Sequence, residues 1–178
     1  MQPPPPPLNI AQLKILVAQA DLIVIGKINE VKETAGTIEA ALSIEKLLKG
    51  KVAGNTIAIE ETYKPASFQT PALGSKNEGE SPQMIVRSTA GPGAYHGKYK
   101  KGSRIVVLLE KIEATGNYRP LGSGTYNKHL CEFLIENDGI KANYFQFAED
   151  VGKYTGSEKQ FISFIKKLIK SNSNKRRE

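Results

Sequence analysis

Three β-type blocks in a fixed order constrain this chain more than any other feature. The first is Ala20-Asp21 followed by the apolar run Leu22-Ile23-Val24-Ile25, then Gly26, Lys27 and Ile28. The second, Ala40 to Gly50, ends in Leu47-Leu48-Lys49-Gly50. The third is Tyr99-Lys100-Lys101-Gly102-Ser103-Arg104, which leads into Ile105-Val106-Val107-Leu108-Leu109. Short apolar runs rich in β-branched residues and bounded by turn residues read as strands. Gly26, inside such a run, predicts a bulge or sharp bend, which a sheet needs where it curls on itself. The blocks together are the skeleton of a small closed β-barrel.

The remaining segments fit around them. Asn9 followed by Gln12 is a capping-box pattern, and Ile10, Leu13, Val17 and Ala20 continue at helical spacing, which predicts a helix over 9–20. Strands follow over 21–32, over 37–48 with Ile38, Ala40, Leu42 and Ile44 on one face, and over 56–63 with Ile57 and Ile59 inward. Two more are predicted over 104–112 and 117–121, then a hairpin over 129–136 and 140–147 about Asn137-Asp138-Gly139. Ser157 with Gln160 opens a last amphipathic helix, carrying Phe161, Ile162, Phe164, Ile165, Leu168 and Ile169 to about Lys170. The fold class is mainly β (α+β): a closed five-stranded, OB-like antiparallel barrel with an N-terminal and a C-terminal helix. Residues 1–8 read as a Pro-rich spacer, 9–170 as the domain and 171–178 as a basic disordered tail. Within the domain, 64–102 is a long insertion rich in Pro, Gly, Ser and Lys, with one short β-prone piece over 83–87.

Composition narrows the class. A chain of 178 residues suits one domain able to bury its own core. Hydrophobic content of 39% with 24% charged residues is that of a globular protein rather than a disordered one. No apolar run approaches the roughly 18 residues that cross a bilayer, so no transmembrane segment is expected. The single cysteine, Cys131, excludes an internal disulfide framework. The run Pro3 to Pro7 favours a stiff polyproline II spacer and suggests that a cleaved leader or lipid anchor preceded it. The net charge of +7 is concentrated at Lys166, Lys167, Lys170, Lys175, Arg176 and Arg177, and again at Lys98, Lys100, Lys101 and Arg104. Such clusters can meet nucleic acid, anionic lipid or acidic polymers, but a solvated helix end accounts for the first more simply.

With these strands in place the chain resembles the netrin-like, tissue-inhibitor-of-metalloproteinase-like superfamily, whose fold is an OB-type barrel flanked by helices. The resemblance rests on the Ala20-Asp21 strand opening, the Leu47-Leu48-Lys49-Gly50 strand end and the Lys101-Gly102-Ser103-Arg104 lead-in to Ile105–Leu109. It covers roughly Ile10 to Phe147, and similar patterns occur in uncharacterised exported bacterial proteins. Metalloproteinase inhibitors of this type place the amine and carbonyl of an N-terminal cysteine on the protease zinc. Here no cysteine precedes Cys131, so that zinc-binding residue has no counterpart. The resemblance implies a fold and an extracellular or cell-envelope setting, with a cytoplasmic one as the alternative, and not protease inhibition.

No constellation spells out a reaction. His129 and Cys131 share a strand face, yet catalysis wants a third, orienting group and zinc wants more ligands; the simpler reading is a buried thiol beside a surface histidine. Gly122-Ser123-Gly124 lacks the spacing and the following helix of a nucleophile elbow and reads as a turn. Glu60, Glu61, Glu132 and Glu136 read as the solvent faces of strands. The C-terminal apolar stripe could lie on a membrane surface, but covering a barrel end explains it better. The most unusual local segment is Gly91 to Tyr99, where glycines allow close backbone approach to a ligand. The expected function is therefore that of a non-enzymatic, exported or envelope-associated binding module, using no cofactor and no metal. Its expected contacts with a protein or other macromolecule are Tyr95, His96, Lys98, Tyr99, Lys100 and Lys101. The alternative is an OB-type single-stranded nucleic-acid-binding protein, which the charge and Tyr95, Tyr99, Tyr118 and Tyr126 permit.

Overall fold

In the computed structural model, residues 9–34, 36–62, 99–121, 131–142 and 156–174 are described. They form α1 (Ile10–Gln19), β1 (Leu22–Thr34), β2 (Thr37–Lys49), β3 (Thr56–Thr62), β4 (Arg104–Lys111), β5 (Tyr118–Pro120), β6 (Glu132–Glu136), β7 (Gly139–Ala142) and α2 (Glu158–Asn174). The sheet runs β1-β2-β3-β5-β4-β6-β7, and a further β1–β4 pairing closes its first five strands into a barrel. This is the expected OB-like barrel with a helix at each end. The junction between β3 and β5 is parallel, through Ile59 and Tyr118, so the barrel is mixed where wholly antiparallel pairing was expected.

β1 and β4 explain the continuous apolar runs. They pair antiparallel from Leu22 with Leu109 to Lys27 with Arg104. Leu22, Val24, Ile105, Val107 and Leu109 turn into the barrel, where they join Ile38, Ala40, Leu42, Ile57 and Ile59. Ile23, Ile25, Val106 and Leu108 turn to the other side, where Leu13, Leu16 and Val17 of α1 and Phe161 and Ile165 of α2 cover them. A strand buried on both faces cannot alternate polar and apolar residues. Both faces are sealed, so α2 packs on the fold as expected; Phe161 and Phe133 meet with ring centroids 4.9 Å apart.

Each resemblance motif has a local job. Lys49 donates from Nζ to the carbonyls of Val17 and Ala18, both at 2.9 Å, and so satisfies the open C-terminal end of α1. Gly50 has φ +90, and the carbonyl of Asp21 occupies the place a side chain would take. Asp21 in turn accepts from the Lys111 amide at 2.9 Å. Gly102 donates to the Ile28 carbonyl at 2.7 Å, and Ile28 donates to Ser103 at 2.9 Å, which extends the β1–β4 ladder into the lead-in. At Gly26 the β1–β2 register shifts, as expected, and a side chain there would run into the Ser43 carbonyl and Leu42.

Two boundaries differ from expectation in ways that matter to the packing. The β6–β7 hairpin turns on Asn137 and Asp138, with φ 48 and 64, and Gly139 already pairs with Glu136. Both central residues thus take the left-handed conformation that a two-residue hairpin requires, which Asn and Asp tolerate best after glycine. The second helix runs on to Asn174, so Ser171 to Asn174 are helix rather than tail. There Asn172 Nδ2 donates to the Lys14 carbonyl at 3.2 Å and ties the helix end to α1. Of the hairpin expected over 129–136 and 140–147, residues 129–130 and 143–147 lie outside the described residues, as does the β-prone piece at 83–87.

Candidate functional site

Two buried carboxylates and a tyrosine meet where the long insertion leaves and rejoins the barrel. Ile57, Ile59 and Glu61 alternate along β3, which puts Glu61 on the inward face. Glu132 and Leu134 share the face of β6 that looks into the barrel, Leu134 packing against the interior cluster. Both carboxylates are buried, at 1% exposure each. This corrects the expectation that Glu61 and Glu132 belong to solvent faces; Glu136 is exposed and Glu60 half-buried. Tyr99, the first described residue at the returning end of the insertion, reaches in between them. Its hydroxyl stands 3.1 Å from Glu61 Oε1 and also hydrogen-bonds Glu132.

Burial, followed by the charges of Glu132 and then Glu61, holds the Tyr99 hydroxyl well above its ordinary value of 10.0. The phenol therefore keeps its proton across the physiological range and acts as a standing donor. Its effect is mechanical: β3, β6 and the lead-in to β4 are joined inside the barrel end, and the two roots of the insertion are held together.

Of the six expected contact residues, Lys100 and Lys101 are exposed beside this root, and Tyr99 is buried within it. Tyr95, His96 and Lys98 lie outside the described residues. Arg104, read above as part of a free basic cluster, is engaged. Its guanidinium contacts Glu45 at 2.8 Å and Glu158 at 3.0 Å, and those hydrogen bonds, Glu158 foremost, raise its pKa further. It thereby straps the start of α2 to β2. Cys131 is buried in the helix-facing cluster, whereas His129 and Gly122–Gly124 fall outside the described residues. Among the described residues no three His, Cys, Asp or Glu side chains gather closely enough to hold a metal ion. Among them, too, no helix is long and apolar enough to cross a membrane.

Of the Glu61–Glu132–Tyr99 cluster, the inward position of Glu61 was within reach of sequence reasoning. Extending the inward alternation of Ile57 and Ile59 by one step lands on Glu61. No comparable rule pairs it with Tyr99, 38 residues away. No protein-family model matches the chain, and a search of curated proteins finds no match either.

Proposed function

We propose that the chain is a non-enzymatic binding module, exported or associated with the cell envelope, whose netrin-like barrel presents the 64–102 insertion to a protein or other macromolecular partner. The observation that carries this reading is the buried Tyr99–Glu61–Glu132 cluster at the insertion's base. A long connection between two barrel strands costs closure entropy, and rigidly joined ends are how a scaffold positions a recognition loop. Exposed Lys100 and Lys101 at the root favour a partner with acidic groups. The buried ionisable cluster serves architecture, and a binding role asks for no catalytic group.

The test places a photo-crosslinking residue at Lys101 or at Glu33 in the native cell and compares wild type with a variant in which 65–97 is replaced by a short Gly-Ser linker. A crosslinked species obtained from Lys101, weaker from Glu33 and lost in the variant while its melting transition persists, supports the reading. Crosslinks that survive removal of the insertion overturn it. Cell fractionation settles the compartment: protein in the envelope or medium supports export, and protein confined to the cytosol removes that part. Single-stranded oligonucleotide affinity that falls steeply with salt, as phosphate contacts require, would favour the nucleic-acid alternative instead.

A further inference from the structure

We propose that the barrel rim between 51–58 and 111–118 is a binding groove for a phosphate-bearing ring compound the size of a mononucleotide or a sugar phosphate. The groove lies at the end of the barrel where the β2–β3 and β4–β5 connections diverge from the β3–β5 junction. Its volume is about 560 Å³, within the range of small-molecule sites. Val52, Ile57 and half-buried Tyr118 supply apolar and aromatic wall, and Lys51, Lys111 and Asn117 supply polar groups.

Among the described residues the lining carries lysines and no acidic side chain. Lys51 and Lys111 are exposed, and neither ammonium has an ion-pair partner among the described residues. The nearby carboxylates stand behind or beyond the lining: Glu60 accepts from Asn117 at 3.0 Å, Asp21 accepts from the Lys111 amide at 2.9 Å, Glu110 pairs with Arg119 at 2.7 Å, and Glu113 sits in the turn beyond it. An anionic group meets two cations there, with the carboxylates of Glu60 and Asp21 one layer behind the lining, and an aromatic wall beside them suits the face of a ring.

The walls are also set in advance. Gly116 donates to the Ile112 carbonyl at 2.8 Å, and Ile112 donates to Asn117 at 2.8 Å, which closes the β4–β5 turn. Across the groove, Ile44 donates to the Asn55 carbonyl at 2.7 Å and fixes the β2–β3 connection. A preformed site loses less entropy on binding than a floppy one. None of these residues belongs to the insertion, so this site and the binding-module reading stand or fall separately.

The test is a calorimetric titration of the full chain at low salt with uridine monophosphate, glucose 1-phosphate, uridine and inorganic phosphate. Lys51→Glu, Lys111→Glu and the distant Lys166→Glu serve as variants, each shown to be folded by its melting curve. Saturable binding of one of the two phosphorylated rings, about tenfold weaker in each of the first two variants and unchanged in Lys166→Glu, is the expected result. The preferred arm then identifies the ring as a base or a sugar. The proposal is overturned if neither phosphorylated ring binds or if inorganic phosphate binds as well as both. Uridine matching uridine monophosphate, or Lys51→Glu and Lys111→Glu binding like Lys166→Glu, also overturns it.

Discussion

The Tyr99 hydroxyl stands 3.1 Å from Glu61 Oε1 inside the barrel, joining the last strand before the insertion to the insertion's returning end. Tyr99→Phe removes the donor and leaves two buried carboxylates without it. Hydrogen bonds to charged groups contribute about 1.5–3 kcal/mol, and removing a donor from a buried site weakens the solvation of its acceptors. Tyr99→Phe is therefore expected to lose about 2–4 kcal/mol in urea unfolding, with faster protease cleavage within 63–98. Wild-type stability in that variant would dismiss the cluster as a fastening.

The same phenol sets an alkaline limit. Its pKa in the folded protein lies above the ordinary 10.0, so the unfolded chain ionises first. Its contribution is fully present below pH 10 and is lost as pH rises toward the folded value. Above pH 10 stability should fall by up to about 1.4 kcal/mol per pH unit from this group. Absorbance at 295 nm should show a late-titrating tyrosine that is missing from Tyr99→Phe.

Gly50 tests the strand-end motif. Its φ of +90 disfavours any side chain, and Asp21 blocks the space for one. Gly50→Ala is expected to cost about 2 kcal/mol or more, and to lower the melting temperature by several degrees. Gly102→Ala is the informative comparison: its φ is also +90, but no atom crowds the site, so it should cost less.

Arg104 makes ion pairs with Glu45 and Glu158, but its own side chain is 38% exposed. Solvent screens such pairs. Arg104→Gln should cost about 1 kcal/mol at low salt, and about 1 M salt should remove most of the difference. A loss that salt leaves untouched would assign Arg104 a packing role instead.

The barrel was legible because its strand order, turns and caps are local. Asn9 caps α1 by accepting from the Gln12 amide at 3.0 Å, and the Ser157 amide donates to the Gln160 side-chain oxygen that reaches back to it at 2.9 Å, both as the spacing predicted. The two-sided burial of β1 and β4 is written in their unbroken apolar runs. What was hidden depends on partners distant in sequence. Glu61 looked like a surface carboxylate because its neighbour Glu60 is polar too, and only the barrel interior brings Tyr99 to it. The parallel Ile59–Tyr118 junction is set by how the sheet closes, which no local pattern encodes. Ser171 and Ser173 weakened the helical pattern, yet their hydroxyls bond the carbonyls of Leu168 and Ile169 and the turn continues.

The β1–β4 pairing also dictates an order of events at the ribosome. β1 is the first strand made, and β2 covers one of its edges almost at once. Its other edge waits for β4, and the Asp21 carboxylate waits 90 residues for the Lys111 amide. Until then the growing chain carries an apolar hairpin with an open edge, the kind of surface on which chains stick to one another. Synthesis of the insertion prolongs that interval, so the edge stays open longer than it would with a short connection between the strands.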